Sequence, residues 1–300
     1  MDEKQLIEKV SKINVCKSGD KRSPHKPLLI LLSLARFQQG KPRLVGYSDI
    51  EKQLVELLSN FGPVSAKNTP QLPFWHLTSD GFWEIPKPQG VLTASGSASK
   101  KFLRDNNVEA GFTKETFELL KQNKELTRSL AQEILSIHFP NTLHQDIIDE
   151  VGLDFEAGLA AETSNENRPK RDPGFRKRIL EAYNYKCAIC DFSIFLENSP
   201  VALEAAHIKW FQAKGPDVEM NGLALCSLHH KLLDRGAIAI DNNRNIIVSS
   251  KVHGSSGSED WVYQFHEKPI RLPRNKDFWP NKEFTNWHIK EVFQSSYKPK

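Results

Sequence analysis

The sequence lacks any apolar run near the roughly 18 residues that a membrane-spanning helix requires. Its first residues, "MDEKQLIEKV", carry charges of both signs and have no apolar core of the kind found in a secretion signal. Both absences argue against a membrane protein and against a secreted precursor. We therefore expect a cytoplasmic protein with no membrane partner.

A strong excess of one charge is also missing. The formal net charge of +4 is too small for a chain of 300 residues to identify a nucleic-acid-binding protein. Basic residues are instead clustered, most densely in "RPKRDPGFRKR" at 168–178, where six of them accompany one aspartate. Such a cluster is usually solvated surface unless another feature points to phosphate.

Cysteine is scarce, with four residues in the chain, and this excludes a disulfide-rich scaffold. Cys16 stands alone, and we expect it to be an inert thiol. Cys187 and Cys190 form a C-x2-C pair, and after 35 intervening residues Cys226 and His229 form a C-x2-H pair. Two such pairs can complete a closed tetrahedral Cys3His sphere, so we predict a structural Zn²⁺ site.

Length and composition predict two α+β domains. A chain of 300 residues with 39% hydrophobic and 26% charged residues is long enough for two cores. Residues 1–152 are predicted to form a mainly helical, winged-helix-like domain, because amphipathic helices accompany a β-hairpin with Asp80-Gly81 at its turn. Residues 153–173 lose apolar periodicity and predict a linker, and residues 174–300 would form the second domain.

A further pattern lies around the second cysteine pair. His207 ends the predicted strand "VALEAAHI", Asn221 begins the predicted strand "NGLALC", and His230 lies on the helix that follows, with 13 and then 8 residues between them. This pattern resembles the HNH nuclease family, with its ββα-metal fold, over about residues 175–250. The resemblance implies an endonuclease in which His207 activates the attacking water and a divalent ion, Mg²⁺ or Mn²⁺, stabilises the developing charge.

The same resemblance implies separate roles for the other two positions. Asn221 would hold the loop that carries His207 or would face the metal, and His230 would be a ligand of the catalytic ion. Many family members have an acidic residue or histidine immediately before the first histidine as a metal ligand, whereas this chain has Ala206. Glu204 could then be either a supporting carboxylate of the site or a surface residue, and the strand pattern leaves both alternatives open.

The adjacent histidines in "CSLHHKLLD" lie on that predicted helix. Neighbouring side chains on a helix diverge by about 100°, so two such histidines do not easily serve one ion. We therefore assign His229 to the zinc site and His230 to the nuclease site.

The first 150 residues contain three stretches that resemble another family. "RSPHKPLLILLSLARF", "LPFWHLTSDGFWE" and "TASGSASKKFL" are similar to the sulfur-binding domains of phosphorothioate-dependent restriction endonucleases, over roughly residues 10–150. The combination with a C-terminal HNH module also matches the architecture of that family. The resemblance implies that the N-terminal domain recognises double-stranded DNA in which sulfur replaces one non-bridging phosphate oxygen.

Such a phosphate keeps its charge but has one corner that is larger, softer and less hydrated. Recognition therefore requires an apolar wall beside cationic donors, and the small residues of the third stretch would approach the DNA backbone or base edges. The wall is assigned to Leu72, Pro73 and Phe74, the anionic oxygen to His25 or Lys26, and the loop contacts to Ser95, Gly96 and Ser97. An alternative is that Pro27, Phe74 and Trp83 are simply core residues.

Three functions remain open at this point. The leading hypothesis is a restriction endonuclease that reads phosphorothioate-modified DNA and cuts nearby. The first alternative is an HNH restriction nuclease that reads a methylated base, and the second is a zinc-stabilised reader that does not cut, for which Ala206 is the best argument. A double-strand break by a single-site nuclease would require a homodimer or two successive nicks.

Overall fold

A computed structural model describes residues 1–15, 22–64, 66, 69–86, 99–154 and 172–295. The chain divides into two compact units, Met1–Thr163 and Ser164–Lys300. The division falls inside the stretch predicted as a linker, most of which lies outside the described residues, so the exact bounds 153–173 stay a prediction. No helix in the described part of the chain is long and apolar enough to cross a membrane.

The N-terminal unit is built mainly from helices. α2 lies at its centre, because the sequence "LLILLSLA" is buried on nearly every face, and α3, α4, α7 and α8 all pack against it. Side-chain caps start several helices; Asp2 and Gln5, for example, form a capping box at the first. The helices are α1 Glu3–Ser11, α2 His25–Gln38, α3 Tyr47–Phe61, α4 Gln71–His76, α5 Lys100–Asp105, α6 Lys114–Gln122, α7 Lys124–His138 and α8 Asn141–Val151.

A small antiparallel sheet completes this unit. Its strands are β1 Leu44–Gly46, β2 Trp83–Glu84 and β3 Glu109–Phe112, in the order β1-β3-β2. The central strand β3 is the one furthest along the chain, so β2 pairs with a strand beyond α5 rather than with the residues that precede it.

The β-hairpin predicted at Asp80-Gly81 is therefore wrong. The residues before Gly81 form α4 and a 3-10 helix, Leu77–Asp80, and Gly81 has φ +78°, as expected for a glycine that ends a helix. Of the aromatic residues that gave this stretch its strand-like pattern, Phe74 is a core residue of α4 and Trp83 is a core residue of β2. The winged-helix comparison consequently has no hairpin to support it in the described part of the unit.

Residues 172–295 of the C-terminal unit form three two-stranded antiparallel sheets and four α-helices. The strands are β4 Ile194–Leu196, β5 Ser199–Val201, β6 Leu203–His207, β7 Gly222–Cys226, β8 Ile238–Ile240 and β9 Ile246–Val248, and the helices are α9 Phe175–Ala182, α10 Ser227–Asp234, α11 Ser258–Trp261 and α12 Lys282–Glu291.

β6, β7 and α10 form the ββα arrangement expected for residues 175–250. The strands pair from Leu203 opposite Cys226 to His207 opposite Gly222, and α10 begins directly after β7. α9 covers this hairpin closely, because a side chain at Gly222 would lie 2.2 Å from the Ile179 side chain. The register places the first predicted catalytic histidine at the end of the hairpin where the connecting loop begins, and the zinc-pattern cysteine at the opposite end.

Candidate functional sites

The four zinc-pattern residues converge in the C-terminal unit. Their ligand atoms all lie within 4.8 Å of one another. The distances are 3.6 Å from Cys187 Sγ to His229 Nδ1, 3.2 Å from Cys226 Sγ to His229 Nδ1, and 3.9 Å between the sulfur atoms of Cys190 and Cys226. A tetrahedral zinc ion with ordinary bond lengths separates two sulfur ligands by about 3.8 Å and a sulfur and a nitrogen by about 3.6 Å. The donor set therefore fits Zn²⁺.

The surroundings of this cluster orient its ligands. His229 is 1% exposed, and its Nε2 lies 3.0 Å from the carbonyl oxygen of Trp261, so Nε2–H donates there and Nδ1 is left for the metal. Hydrogen bonds within the cluster lower the pKa of Cys226, which favours its thiolate, and raise the pKa of Cys190, which donates to its neighbours. Four protein donors around one point leave no open position, which is the character of a structural site.

His207 lies at the end of β6 and is held on two sides. Its Nε2 is 2.7 Å from Asp217 Oδ1, and its ring stacks on Phe175 with a centroid distance of 4.3 Å and an interplanar angle of 17°. The His207 side chain is 14% exposed. A fixed imidazole that keeps contact with solvent is suited to proton transfer.

Asn221 is fully buried and bonds to the loop between β6 and β7. Its Oδ1 accepts from the Lys209 amide at 2.8 Å, and its Nδ2 donates to the carbonyl oxygens of Lys209 and Pro216, each at 3.0 Å. Gly215 permits this closure, because a side chain there would collide with the Lys209 carbonyl at 1.8 Å. Of the two roles left open by the sequence, the geometry supports the one in which Asn221 holds the loop.

His230 lies between two carboxylates. Its Nδ1 is 2.6 Å from Glu204 Oε2, and its Nε2 is 3.2 Å from Asp234 Oδ2. Burial opposes the charged imidazole, but the hydrogen bonds to Asp234 and Glu204 outweigh it and raise the pKa of His230 to about 9. Glu204 also accepts from Ser227 Oγ at 2.7 Å, so it is part of this cluster while 40% of its side chain stays exposed.

The adjacent histidines face different groups. His229 contacts the cysteines, whereas His230 contacts Glu204 and Asp234, in agreement with the divergence expected on a helix. The pattern of histidines and asparagine includes neither Asp217 nor Asp234, and no local spacing points to Asp217. Asp234 is four residues after His230, a helical neighbour, and this was the one local signal available for it.

In the N-terminal unit, His25 and Lys26 begin α2 and contact the region of α4. His25 Nε2 lies 2.9 Å from Thr69 Oγ1, and Lys26 Nζ lies 2.5 Å from Asp80 Oδ2. Burial lowers the pKa of His25. Asp80, which the sequence assigned to a hairpin turn, is therefore the counter-ion of a predicted DNA-binding lysine.

The predicted apolar wall is only partly available for contact. Leu72 is half-buried and Pro73 is buried, both in the first turn of α4. Phe74 has no exposed surface, and its ring packs edge-on against Tyr47 and Trp83 at 5.2 and 6.3 Å. Phe74 therefore supports the wall from behind, which corrects its assignment as a contact residue.

His76 is exposed at the end of α4, three residues after Pro73 and so on the same helix face. Partial desolvation together with the charge of Lys26 lowers its pKa. Ser95, Gly96 and Ser97 lie outside the described residues, as does Cys16.

Comparisons with known proteins agree with this division. The family model for the ScoMcrA-like DNA sulfur-binding domain matches residues 3–156, and the model for the HNH endonuclease family matches residues 187–241. A search of curated proteins finds no match.

Among solved structures, the sulfur-binding domain of ScoMcrA complexed with phosphorothioated DNA is 21% identical, with 49% of this chain and 95% of that chain covered and a TM-score of 0.45. The corresponding domain of SprMcrA, also complexed with phosphorothioated DNA, is 16% identical over 51% of this chain and 95% of that one, with a TM-score of 0.45. The Type IV phosphorothioation-dependent restriction endonuclease ScoMcrA is 20% identical over 49% of this chain, with a TM-score of 0.43, and this chain spans 32% of its length. From the extent of the first family match, the chain belongs to the family with a ScoMcrA-like DNA sulfur-binding domain, here followed by an HNH endonuclease domain.

Proposed function

We propose that the chain is a restriction endonuclease that binds phosphorothioate-modified double-stranded DNA through its N-terminal unit and hydrolyses phosphodiester bonds nearby with its C-terminal unit. The observation that carries this proposal is the presence of both domains in one chain. The fixed imidazole of His207, beside a loop closed by Asn221, supports the hydrolytic part.

In the proposed reaction His207 acts as the general base. It takes a proton from a water molecule, the resulting hydroxide attacks phosphorus, and the bond to the leaving sugar oxygen breaks. Asn221 keeps the β6–β7 loop closed and so keeps His207 in position. The Cys3His cluster would stabilise the fold when zinc is bound, because the ion ties the residues before β4 to the start of α10.

Glu204 and His230 are the residues that would hold the catalytic Mg²⁺ or Mn²⁺. Two neighbouring ligands at right angles, each about 2.1 Å from a magnesium ion, lie about 3.0 Å apart. Glu204 Oε2 and His230 Nδ1 are 2.6 Å apart. The two atoms would therefore need to move apart by only a few tenths of an ångström to bind one ion. Such an ion would neutralise charge that develops on the phosphate and on the leaving oxygen.

The second carboxylate at His230 fits this assignment. Asp234 is 3% exposed and accepts a hydrogen bond from Nε2, so Nδ1 is the nitrogen that would bind the ion beside Glu204 once its proton is displaced. Glu204 would then supply the metal-binding carboxylate that many family members have immediately before the first histidine, where this chain has Ala206.

For the modified phosphate we propose a surface made by the first turn of α2 and the first turn of α4. His25 and Lys26 would hold the anionic oxygen, and Leu72 and Pro73 would face the sulfur. α2 begins without a side-chain cap, so its first amides and the helix dipole also favour an anion here. Ser95–Ser97 would complete the surface. An apolar contact that ordinary phosphate could make only after desolvation would supply a preference of about 1–3 kcal/mol.

The test is binding of the full chain to matched duplexes that differ at one linkage. One duplex carries a single phosphorothioate, one carries a methylated base, and one is unmodified. We expect the chain to bind the phosphorothioate duplex about tenfold more tightly or better than the other two. All three duplexes are compared at the same salt concentration, because phosphate contacts depend on salt. Equal affinity for sulfurated and plain DNA would overturn the proposal, and preference for the methylated duplex would favour a methyl-reading nuclease.

A second candidate is a reader that binds modified DNA without cutting it, and Ala206 at the family's usual ligand position favours it. A nicking assay with Mg²⁺ or Mn²⁺ on zinc-loaded protein separates the two. Absence of cleavage on every modified substrate would support the reader. Cleavage of both strands at a rate that depends on protein concentration would support a homodimer.

A further inference from the structure

The geometry points to Asp217 as the positioning residue of His207: its carboxylate fixes the imidazole with hydrogen on Nε2 and so makes Nδ1 the nitrogen that accepts the proton. This inference rests on the proposed nuclease function for its catalytic meaning. The pattern of histidines and asparagine in the sequence does not include this aspartate.

The contact itself determines the tautomer. Asp217 Oδ1 lies 2.7 Å from His207 Nε2, and an ionised carboxylate can only accept a hydrogen bond. Nε2 must therefore carry hydrogen, and in a neutral ring the lone pair then lies on Nδ1. The stacked ring of Phe175 hinders rotation of the imidazole, so the two nitrogens do not readily exchange places.

Asp217 is itself held by atoms other than His207. Its Oδ2 accepts from the backbone amide of Asp172 at 2.7 Å. Its backbone carbonyl accepts from Arg178 Nη2 at 2.9 Å, and Arg178 also bonds Asp172 and Glu219, each at 2.6 Å. A carboxylate with both oxygens engaged and its own backbone tied to α9 is a rigid acceptor.

Two effects on the reaction follow. A neutral histidine without a fixed partner populates both tautomers, and only one presents a basic nitrogen to the water. The imidazolium that forms on proton transfer is also stabilised by a carboxylate at hydrogen-bond distance. Removal of the charge without change of shape, as in Asp217→Asn, should therefore lower kcat by about 100-fold, within the range for general-base catalysis.

If Asp217 had only a structural role, its removal would affect cleavage as much as removal of another anchor of the same loop. Asp217 could act only by tying the loop to α9, as Glu219 does through Arg178. Glu219→Gln is the matched control, because it alters a carboxylate of the same loop that contacts Arg178. If loop anchoring were the whole effect, both variants would change cleavage alike.

The first readout is the tautomer of His207, measured by long-range ¹H–¹⁵N NMR on full-length, zinc-loaded protein labelled at histidine, with His207→Ala to assign the signal. We expect the Nε2–H form in wild type and in Glu219→Gln, and a mixture in Asp217→Asn. The Nδ1–H form in wild type would overturn the inference, even if Asp217→Asn failed to fold.

The second readout is cleavage under single-turnover conditions. We expect Asp217→Asn to lose about 100-fold in rate at saturating DNA, with unchanged DNA affinity and zinc content, and Glu219→Gln to lose less than about threefold. Equal rates for wild type and Asp217→Asn would overturn the inference and leave the nuclease proposal intact. A wild type that cuts no DNA, yet shows the Nε2–H tautomer, would remove the proposed activity and leave the assignment of Asp217 standing.

Discussion

The ion pair between Lys26 and Asp80 should be essential to the stability of the N-terminal unit, and the stability lost when one partner is removed can be measured. The two side chains are 10% and 5% exposed, and Nζ lies 2.5 Å from Oδ2. Asp80→Asn keeps the shape but leaves Lys26 as an unpaired charge. Loss of one partner of a buried pair costs about 3–5 kcal/mol, and we expect the lower end because the lysine stem can extend toward solvent.

Hydrogen exchange of the α2 amides measures this in the full chain, since it reports opening of one unit independently of the other. A loss of about 3 kcal/mol corresponds to exchange roughly 100-fold faster. The Asp80→Asn/Lys26→Met double variant removes both charges. Its loss of stability should be smaller than the sum of the losses in the two single variants by about 2 kcal/mol.

The matched control is the pair of Lys121 and Glu118, whose side chains are 52% and 59% exposed. Glu118→Gln should change exchange by less than about 0.5 kcal/mol. Additive losses for Lys26→Met and Asp80→Asn, within about 0.5 kcal/mol, would refute the reasoning. Because Lys26 has this structural role, weaker DNA binding by Lys26→Ala alone would not prove a DNA contact, whereas weaker binding by the double variant, with its fold retained, would support one.

Three further predictions concern metal and pH. Cys190→Ser should release zinc and lower the thermal stability of the C-terminal unit, measured by metal content and calorimetry, with Cys16→Ser as a control that keeps both. Glu204→Gln should weaken Mn²⁺ binding about tenfold or more in calorimetry or electron paramagnetic resonance while zinc content stays unchanged; equal Mn²⁺ affinity would exclude Glu204 as a ligand. Burial lowers the pKa of His138 from 6.5 to about 4, so the unfolded chain binds a proton that the folded unit excludes. The N-terminal unit should therefore keep its full stability above about pH 6.5 and lose up to about 3 kcal/mol as the pH falls toward 4, a dependence that His138→Gln should reduce in urea titrations.

Spacing along the chain predicted the site residues that lie within one turn or one helix of each other. Cys187 and Cys190 are two ends of one turn, and Cys226 and His229 share the start of α10, so their spacing already encodes a metal site. The different directions of His229 and His230 follow from the same helix. The pairing of β6 with β7 follows from two short apolar strands joined by a loop.

Contacts between distant segments could not be predicted in this way. Asp217 reaches His207 across a loop that Asn221 and Arg178 help to fold back on itself. Glu204 and His230 meet because the β6–β7 register brings the strand beside the first turn of α10. Neither contact follows from a fixed offset in sequence.

The error at Asp80-Gly81 has a related cause. The dipeptide is a frequent hairpin turn, but here Gly81 ends a helical segment and the Asp80 carboxylate bonds Lys26 and the Asn14 amide. Phe74 was assigned to a contact surface together with its sequence neighbours Leu72 and Pro73, but its side chain points into the core and has no exposed surface.

The central claim is that one chain recognises sulfur in DNA and cuts that DNA with His207. Cleavage mapping on a duplex with one defined phosphorothioate tests it most directly, with the unmodified duplex and the His207→Ala variant run in parallel. We expect cuts near the modified linkage for wild type, no cuts in unmodified DNA, and no cuts by His207→Ala despite unchanged binding. Equal cutting of both duplexes, or cutting by His207→Ala at the wild-type rate, would contradict it.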